Sequence, residues 1–185
     1  DVKRFVKGMI TRQFFYILKD PYANAFNETD NNHGHKGDIT KHSPWVWERK
    51  FEIDSLCYPV FLSYRYYKVS GDASIFSDEY KKAVSLILDV FKTEQNHHEK
   101  SDYSHFRPSD PPELSVPCEG KGGPVGYTGM IWSGYRPSDD ACKYGYFVPG
   151  NMFAVVILKQ LEEIFTRIVS DSDITRRAAE LRSEI

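Results

Sequence analysis

The sequence predicts an all-α fold, an arc of helical hairpins of the α/α-toroid type. Three observations carry that reading. Apolar residues recur at helical spacing in five stretches. The connections between those stretches alternate long, short, long, short. Short connections make antiparallel neighbours, so both long loops emerge at the same end of the array. Long loops in a compact domain are usually functional, and two on one end point to a shared site. A closed ring of six hairpins needs twelve helices and the pattern gives five. The chain therefore reads as one domain over 1–185, either part of a six-hairpin α/α ring, an (α/α)6 barrel, cut at Ile185, or an ordinary five-helix bundle with unstructured loops.

The first helix is predicted over 2–19, with Val2, Phe5, Val6, Met9, Ile10, Ile17 and Leu18 on one face. Asp20-Pro21 ends it, because proline disfavours the helical conformation in the residue before it. The second covers roughly 54–69, with Leu56, Cys57, Val60, Phe61 and Tyr64 inward and Pro59 near the first turn. Ser70-Gly71-Asp72 is a turn. The third runs from about 74 to 93 on Tyr80, Val84, Ile87, Leu88 and Phe91. Pro149 opens the fourth, about 150–169, and Asp171 or Asp173 caps a fifth that runs from near Ile174 to Ile185. Its stripe Ile174, Ala178, Leu181 and Ile185 has nothing after it to cover it. The chain alone is therefore expected to be marginally stable and prone to self-association.

Composition narrows function mainly by exclusion. A formal charge of −2 gives no electrostatic case for nucleic acid or an anionic membrane. No apolar run is long enough to span a bilayer. With no signal peptide in view, a cytoplasmic protein is expected. Three cysteines without a C-x-x-C spacing make neither a disulfide framework nor a zinc site. The unusual number is the aromatic content, 15%. Tyr and Trp join a flat apolar face to a polar handle, suiting a core, an interface or a sugar platform.

The first long loop packs Asp20, Asn24, Trp45, Trp47, Glu48, Arg49 and Asp54 into a short stretch. That set could hold a sugar, the indole on its C–H face and the charged groups on its hydroxyls. It could equally be a buried ion pair, Glu48 to Arg49 or Arg49 to Asp54. His33 and His35 with Asp30 and Asp38 read as a solvated turn, so no metal and no cofactor is expected. Asn27-Glu28-Thr29 is a glycosylation sequon that matters only in a secreted protein. In the second loop the Gly-rich 118–123 lacks the features of a phosphate loop. Farther on, Trp132 and Arg136 precede the paired acids Asp139 and Asp140. Adjacent carboxylates repel, so one can stay protonated near neutral pH, as a general acid must. Alternatively one of them caps a turn or pairs with Arg136. No nucleophile elbow, zinc-protease motif or dinucleotide fingerprint occurs, which leaves hydrolysis by carboxylates.

Four strings carry a resemblance. They are Asp20-Pro-Tyr-Ala-Asn-Ala-Phe26, Trp47-Glu-Arg-Lys-Phe-Glu-Ile-Asp-Ser-Leu-Cys-Tyr-Pro59, Gly129-Met-Ile-Trp-Ser-Gly-Tyr-Arg-Pro-Ser-Asp-Asp-Ala-Cys142 and Gly145-Tyr-Phe-Val-Pro-Gly-Asn-Met-Phe-Ala154. Over about residues 5–165 the sequence resembles glycoside hydrolase family 125, the exo-α-1,6-mannosidases. Gly150 stands where a serine is expected in that family. The resemblance implies an (α/α)6 barrel and metal-independent, inverting hydrolysis of mannose-containing oligosaccharides or N-glycan fragments. It places the general acid at Asp139 or Asp140, and mannose contacts at Asp20, Asn24, Glu48, Arg49, Asp54, Trp132 and Arg136. The general base it implies is a Glu in the later half of the family's chain, without a counterpart here; a complete enzyme would have to use Glu48 or Glu119. The alternative reading is a catalytically incomplete carbohydrate-binding fragment or inactive homologue.

Overall fold

A computed structural model describes residues 2–185. Among them lie five long helices and one single-turn helix: α1 (Val2–Ile17), α2 (Ile53–Ser70), α3 (Asp78–Glu94), α4 (His97–Lys100), α5 (Val148–Arg167) and α6 (Ser172–Glu184). Local signals set several ends. Ser77 caps α3 by accepting the Tyr80 N–H. Asp171 caps α6 through the N–H groups of Asp173 and Ile174, so the first of the two candidate acids serves. α2 ends at Gly71, whose left-handed φ of 70° lets its N–H return to the Tyr67 carbonyl. Pro59 sits in the second turn of α2 rather than the first, and Pro149 lies in the first turn of α5.

Contacts run α1 to α3 to α6 in one layer and α2 to α5 in the other, which is an arc of an α/α toroid. α1 and α3 end, and α2 and α5 begin, where the long loops emerge. The two loops meet: Ile39 and Phe106 form an isolated antiparallel bridge, and the Thr40 hydroxyl donates to the Ser104 carbonyl. A short antiparallel pair, β1 (Ala25–Phe26) and β2 (Val46–Glu48), folds the first loop on itself. The core between the layers includes Ile10, Phe14, Leu56, Val60, Tyr80, Val84, Leu88, Phe91, Leu161 and Phe165. None of the described helices is long and apolar enough to cross a membrane.

Three expectations about faces need correction. The stripe of α6 is covered: Ile174, Ala178 and Leu181 are buried against α3 and α5. In α1 the buried line is Ile10, Phe14 and Ile17, while Val2, Phe5, Met9 and Leu18 are exposed. The apolar spacing there allowed two overlapping stripes, and the one through Phe14 packs on Tyr80. In α2, Phe61 is exposed; with Tyr58 and, on α5, Met152 and Val156, it leaves the α2–α5 layer uncovered on its outer side.

Candidate active site

The site is built on an extended segment, residues 48–52, that leads from β2 into α2. Alternation puts Arg49 and Phe51 on one side and Glu48, Lys50 and Glu52 on the other. Arg49 Nε donates to Asp20 Oδ2 at 2.7 Å, and its guanidinium lies over the rings of Tyr22 and Tyr103. The Phe51 N–H donates to the Tyr103 hydroxyl, which donates in turn to the Arg49 carbonyl. Both members of the Asp20–Arg49 pair are nearly covered. A buried ion pair therefore does tie the loop down. Its partner is Asp20 at the end of α1, not Glu48 or Asp54.

On the other face, Asn24 sits beside Glu48 because β1 pairs with β2 there. Its Nδ2 donates to Glu48 Oε2 at 3.1 Å, and its Oδ1 accepts the Lys50 N–H. Arg107, from the second loop, bridges Glu48 and Asp38 with contacts of 2.6–2.8 Å. His105 continues the chain, with Nε2 facing Asp38 and Nδ1 facing the Tyr135 hydroxyl. A neutral ring protonated on Nε2 satisfies both contacts, and burial holds the His105 pKa below its ordinary value. For Glu48, burial pushes the pKa up. The Arg107 and Asn24 hydrogen bonds and the Lys50 charge outweigh it, leaving Glu48 an anion held below the usual range.

The paired acids do not face each other. Asp139 adopts φ 68°, a left-handed conformation that is sterically costly for a residue with a Cβ. Its side chain, 60% exposed, meets Lys50 Nζ at 2.9 Å. Lys50 is itself buried and lies over the Tyr135 ring. Asp140 turns the opposite way, to the Arg136 guanidinium and the Ser138 hydroxyl. Arg136 N–H donates to the Asp140 carbonyl, and Tyr135 bridges to Ala141, closing the turn. Arg136 and Asp140 line a cavity of about 490 Å³ with Tyr144, Tyr146 and Phe147. Glu48 and Arg49 do not border it.

Trp132 does not face a cavity either. Its indole is fully buried, stacked on His97 at 3.6 Å between ring centroids. A Cβ on Gly145 or Gly122 would come within 3 Å of the indole, so the glycines of this loop make room for it. Gly150 is equally confined, because a Cβ there would lie 2.8 Å from the Phe147 ring. Asp54 stands in the first turn of α2, nine-tenths buried; burial raises its pKa, and its Oδ1 has no partner. At the sequon, the Asn27 amide is buried and donates to the carbonyls of His33 and Pro44. A glycan would have to break that bonding.

Sequence reasoning passed over Lys50, Glu52, His105 and Arg107. Lys50 and Glu52 carried a usable signal, the alternation with Glu48 along one extended segment. Arg107 carried none, since its partners lie 59 and 69 residues away.

Comparison with known proteins places this geometry. The family model for metal-independent α-mannosidases, GH125, matches residues 1–185. The Meiotically up-regulated gene 157 protein of Schizosaccharomyces pombe is 32% identical over 190 residues, covering 94% of this chain and 37% of that protein. A Streptococcus pneumoniae structure from work on metal-independent α-mannosidases, a non-productive complex with α-1,6-mannobiose, is 42% identical. It superposes with a TM-score of 0.95 over 98% of this chain and 43% of that one. The chain thus spans about two fifths of the length of these relatives. It belongs to glycoside hydrolase family 125, the metal-independent α-mannosidases.

Proposed function

We propose that this chain carries the general acid and part of the sugar site of an exo-acting α-mannosidase that releases α-1,6-linked terminal mannose with inversion. The observation that carries the reading is the 0.95 superposition on a 42% identical structure solved with α-1,6-mannobiose.

Asp139 is the acid in this reading. It is the more exposed of the paired carboxyls and can reach a substrate, whereas Asp140 is engaged in closing its own turn. Its proton passes to the glycosidic oxygen as the bond to the anomeric carbon breaks. Water attacks that carbon from the opposite face and gives its proton to a second carboxylate, the Glu implied by the family resemblance. The products are mannose of inverted configuration and the shortened glycan. Such carboxyl pairs stand about 6.5–9.5 Å apart to admit the water. Arg136 in the turn, and Asn24 and Glu48 on the Lys50 side of it, are the candidates for holding mannose hydroxyls. Asp20 and Arg49 support them from behind.

The test is mannose release from α-1,6-mannobiose by the full natural protein, with the first-formed anomer followed by NMR. Release of the inverted anomer supports the reading; binding without release would identify a carbohydrate-binding homologue. Asp139→Asn should lower kcat by about 10²–10⁴-fold, the usual scale of general acid catalysis. If Asp140→Asn has that effect and Asp139→Asn does not, the acid is Asp140.

A further inference from the structure

Along the face of residues 48–52 that meets the second loop, the charges pair off with one exception. Glu48 is held by Arg107 and Lys50, Asp139 by Lys50, and Asp38 by Arg107 and His105. Glu52 is half-buried, with extended backbone at φ −125° and ψ 126°, at the mouth of α2. Its carboxyl accepts only the Ser55 hydroxyl, at 2.9 Å. Two residues on, Asp54 is nine-tenths buried with an unpartnered Oδ1. Glu52 thus holds hydrogen-bonding capacity that the chain itself does not use, on the side of the segment where Lys50 meets Asp139. Among the described residues no three His, Cys, Asp or Glu side chains are grouped to hold a metal ion. Neighbouring hydroxyls of a pyranose, each both donor and acceptor, match such a carboxyl.

We propose that Glu52 binds hydroxyls of the sugar next to Asp139 and so positions the substrate. The proposal rests on the mannosidase reading. Burial raises the Glu52 pKa to about 7, against the Ser55 hydrogen bond and with help from the charges of Asp54, Asp139 and Glu48. These groups face Glu52 from its own segment and from the second loop; the Lys50 ammonium is turned to Asp139 and Glu48. A neutral Glu52 donates to one hydroxyl oxygen and accepts from another. Once ionised it only accepts, and it adds a negative charge beside the Glu48 carboxylate.

The experiment measures α-1,6-mannobiose affinity of the full natural protein by calorimetry, at pH values about one and a half units either side of the Glu52 midpoint. Wild type, Glu52→Gln and Glu52→Ala are compared, with KM and kcat taken alongside and a melt for each variant. The wild type should weaken by about tenfold at the higher pH, the worth of one lost hydrogen bond to a charged or buried partner. Glu52→Gln should hold its affinity across the range, with the effect in KM rather than kcat. Glu52→Ala should be weak at both pH values; if its melt shows it unfolded, the Gln profile decides alone. A Gln variant that follows the wild-type pH profile, or a folded Ala variant that binds like wild type, overturns the role of Glu52 and leaves the mannosidase reading standing. A wild type that binds no mannobiose at any pH overturns both.

Discussion

The two faces of residues 48–52 differ in how completely they are satisfied. On the core face, Arg49 has a carboxylate, a hydroxyl and two aromatic rings, and Phe51 is closed in by Tyr22 and Tyr103. On the other face, Lys50 divides one ammonium between Glu48 and Asp139, and Glu52 has a hydroxyl alone. Both faces are rich in charge, so charge density does not distinguish structure from function here. Completeness of pairing does. A group whose partners all belong to the chain holds the fold, and one left short is available to something else.

The strongest way to break this contrast is Arg49→Ala. It would leave Asp20 nearly buried without its cation, and losing one member of a buried pair costs about 3–5 kcal/mol. The expected result is a large fall in the urea or thermal midpoint, with the first loop losing hydrogen-exchange protection. A stable, protected Arg49→Ala protein would mean that the Tyr22 and Tyr103 rings hold the loop by themselves.

That pair also marks how far the sequence could be read. The helices, their order and the placement of both loops at one end follow from periodicity and connection length, which are local quantities. Asp171 as the cap of α6 and the Gly71 terminus are local too. The faces were harder. α6 was read as bare because nothing follows it in sequence, whereas α3 and α5 precede it and cover it. Trp132 was read as a mannose contact through the family resemblance, and the glycines around it prove to be space for a buried indole. The partners of Arg49, Glu48 and Asp139 lie 29, 59 and 89 residues away. No spacing rule marks pairs of that separation. Asp139 and Asp140 show the same limit at short range: adjacency suggested repulsion, and a left-handed backbone separates them instead.

A smaller effect is expected on the other face. Lys50→Met removes a buried ammonium but leaves Asp139 largely in solvent, so the fold should change little. The position of Asp139, the proposed acid, should suffer more, because Lys50 is the group that holds it toward the 48–52 segment. We expect kcat/KM on α-1,6-mannobiose to fall by about tenfold, or 1.4 kcal/mol, with a nearly unchanged melt. A large loss of stability with normal activity per folded molecule would place Lys50 with Arg49, among the groups that hold the fold.

The smallest effect on the fold concerns Glu52, and it is read in stability. Its pKa is raised from 4.5 to about 7 in the folded chain, chiefly by burial, so folding favours the protonated form. Below the unfolded value both states hold the proton, and Glu52 contributes no difference. As pH rises from there through about 7, the unfolded chain releases the proton first and the fold loses stability. Above that range the loss is complete. The full shift would amount to about 3 kcal/mol, but Glu52 is partly solvated, and screening reduces the expected loss to about 1 kcal/mol. Glu52→Gln cannot ionise and escapes it. The variant should therefore melt with wild type in acid and about 2–4 °C above it in mild alkali, the usual scale for a chain of this size. Other titrating groups affect both proteins alike and cancel in the difference. A Gln variant with the same offset at both pH values would show that Glu52 is already relieved of its charge by a partner, and the two faces of the segment would then be equally satisfied.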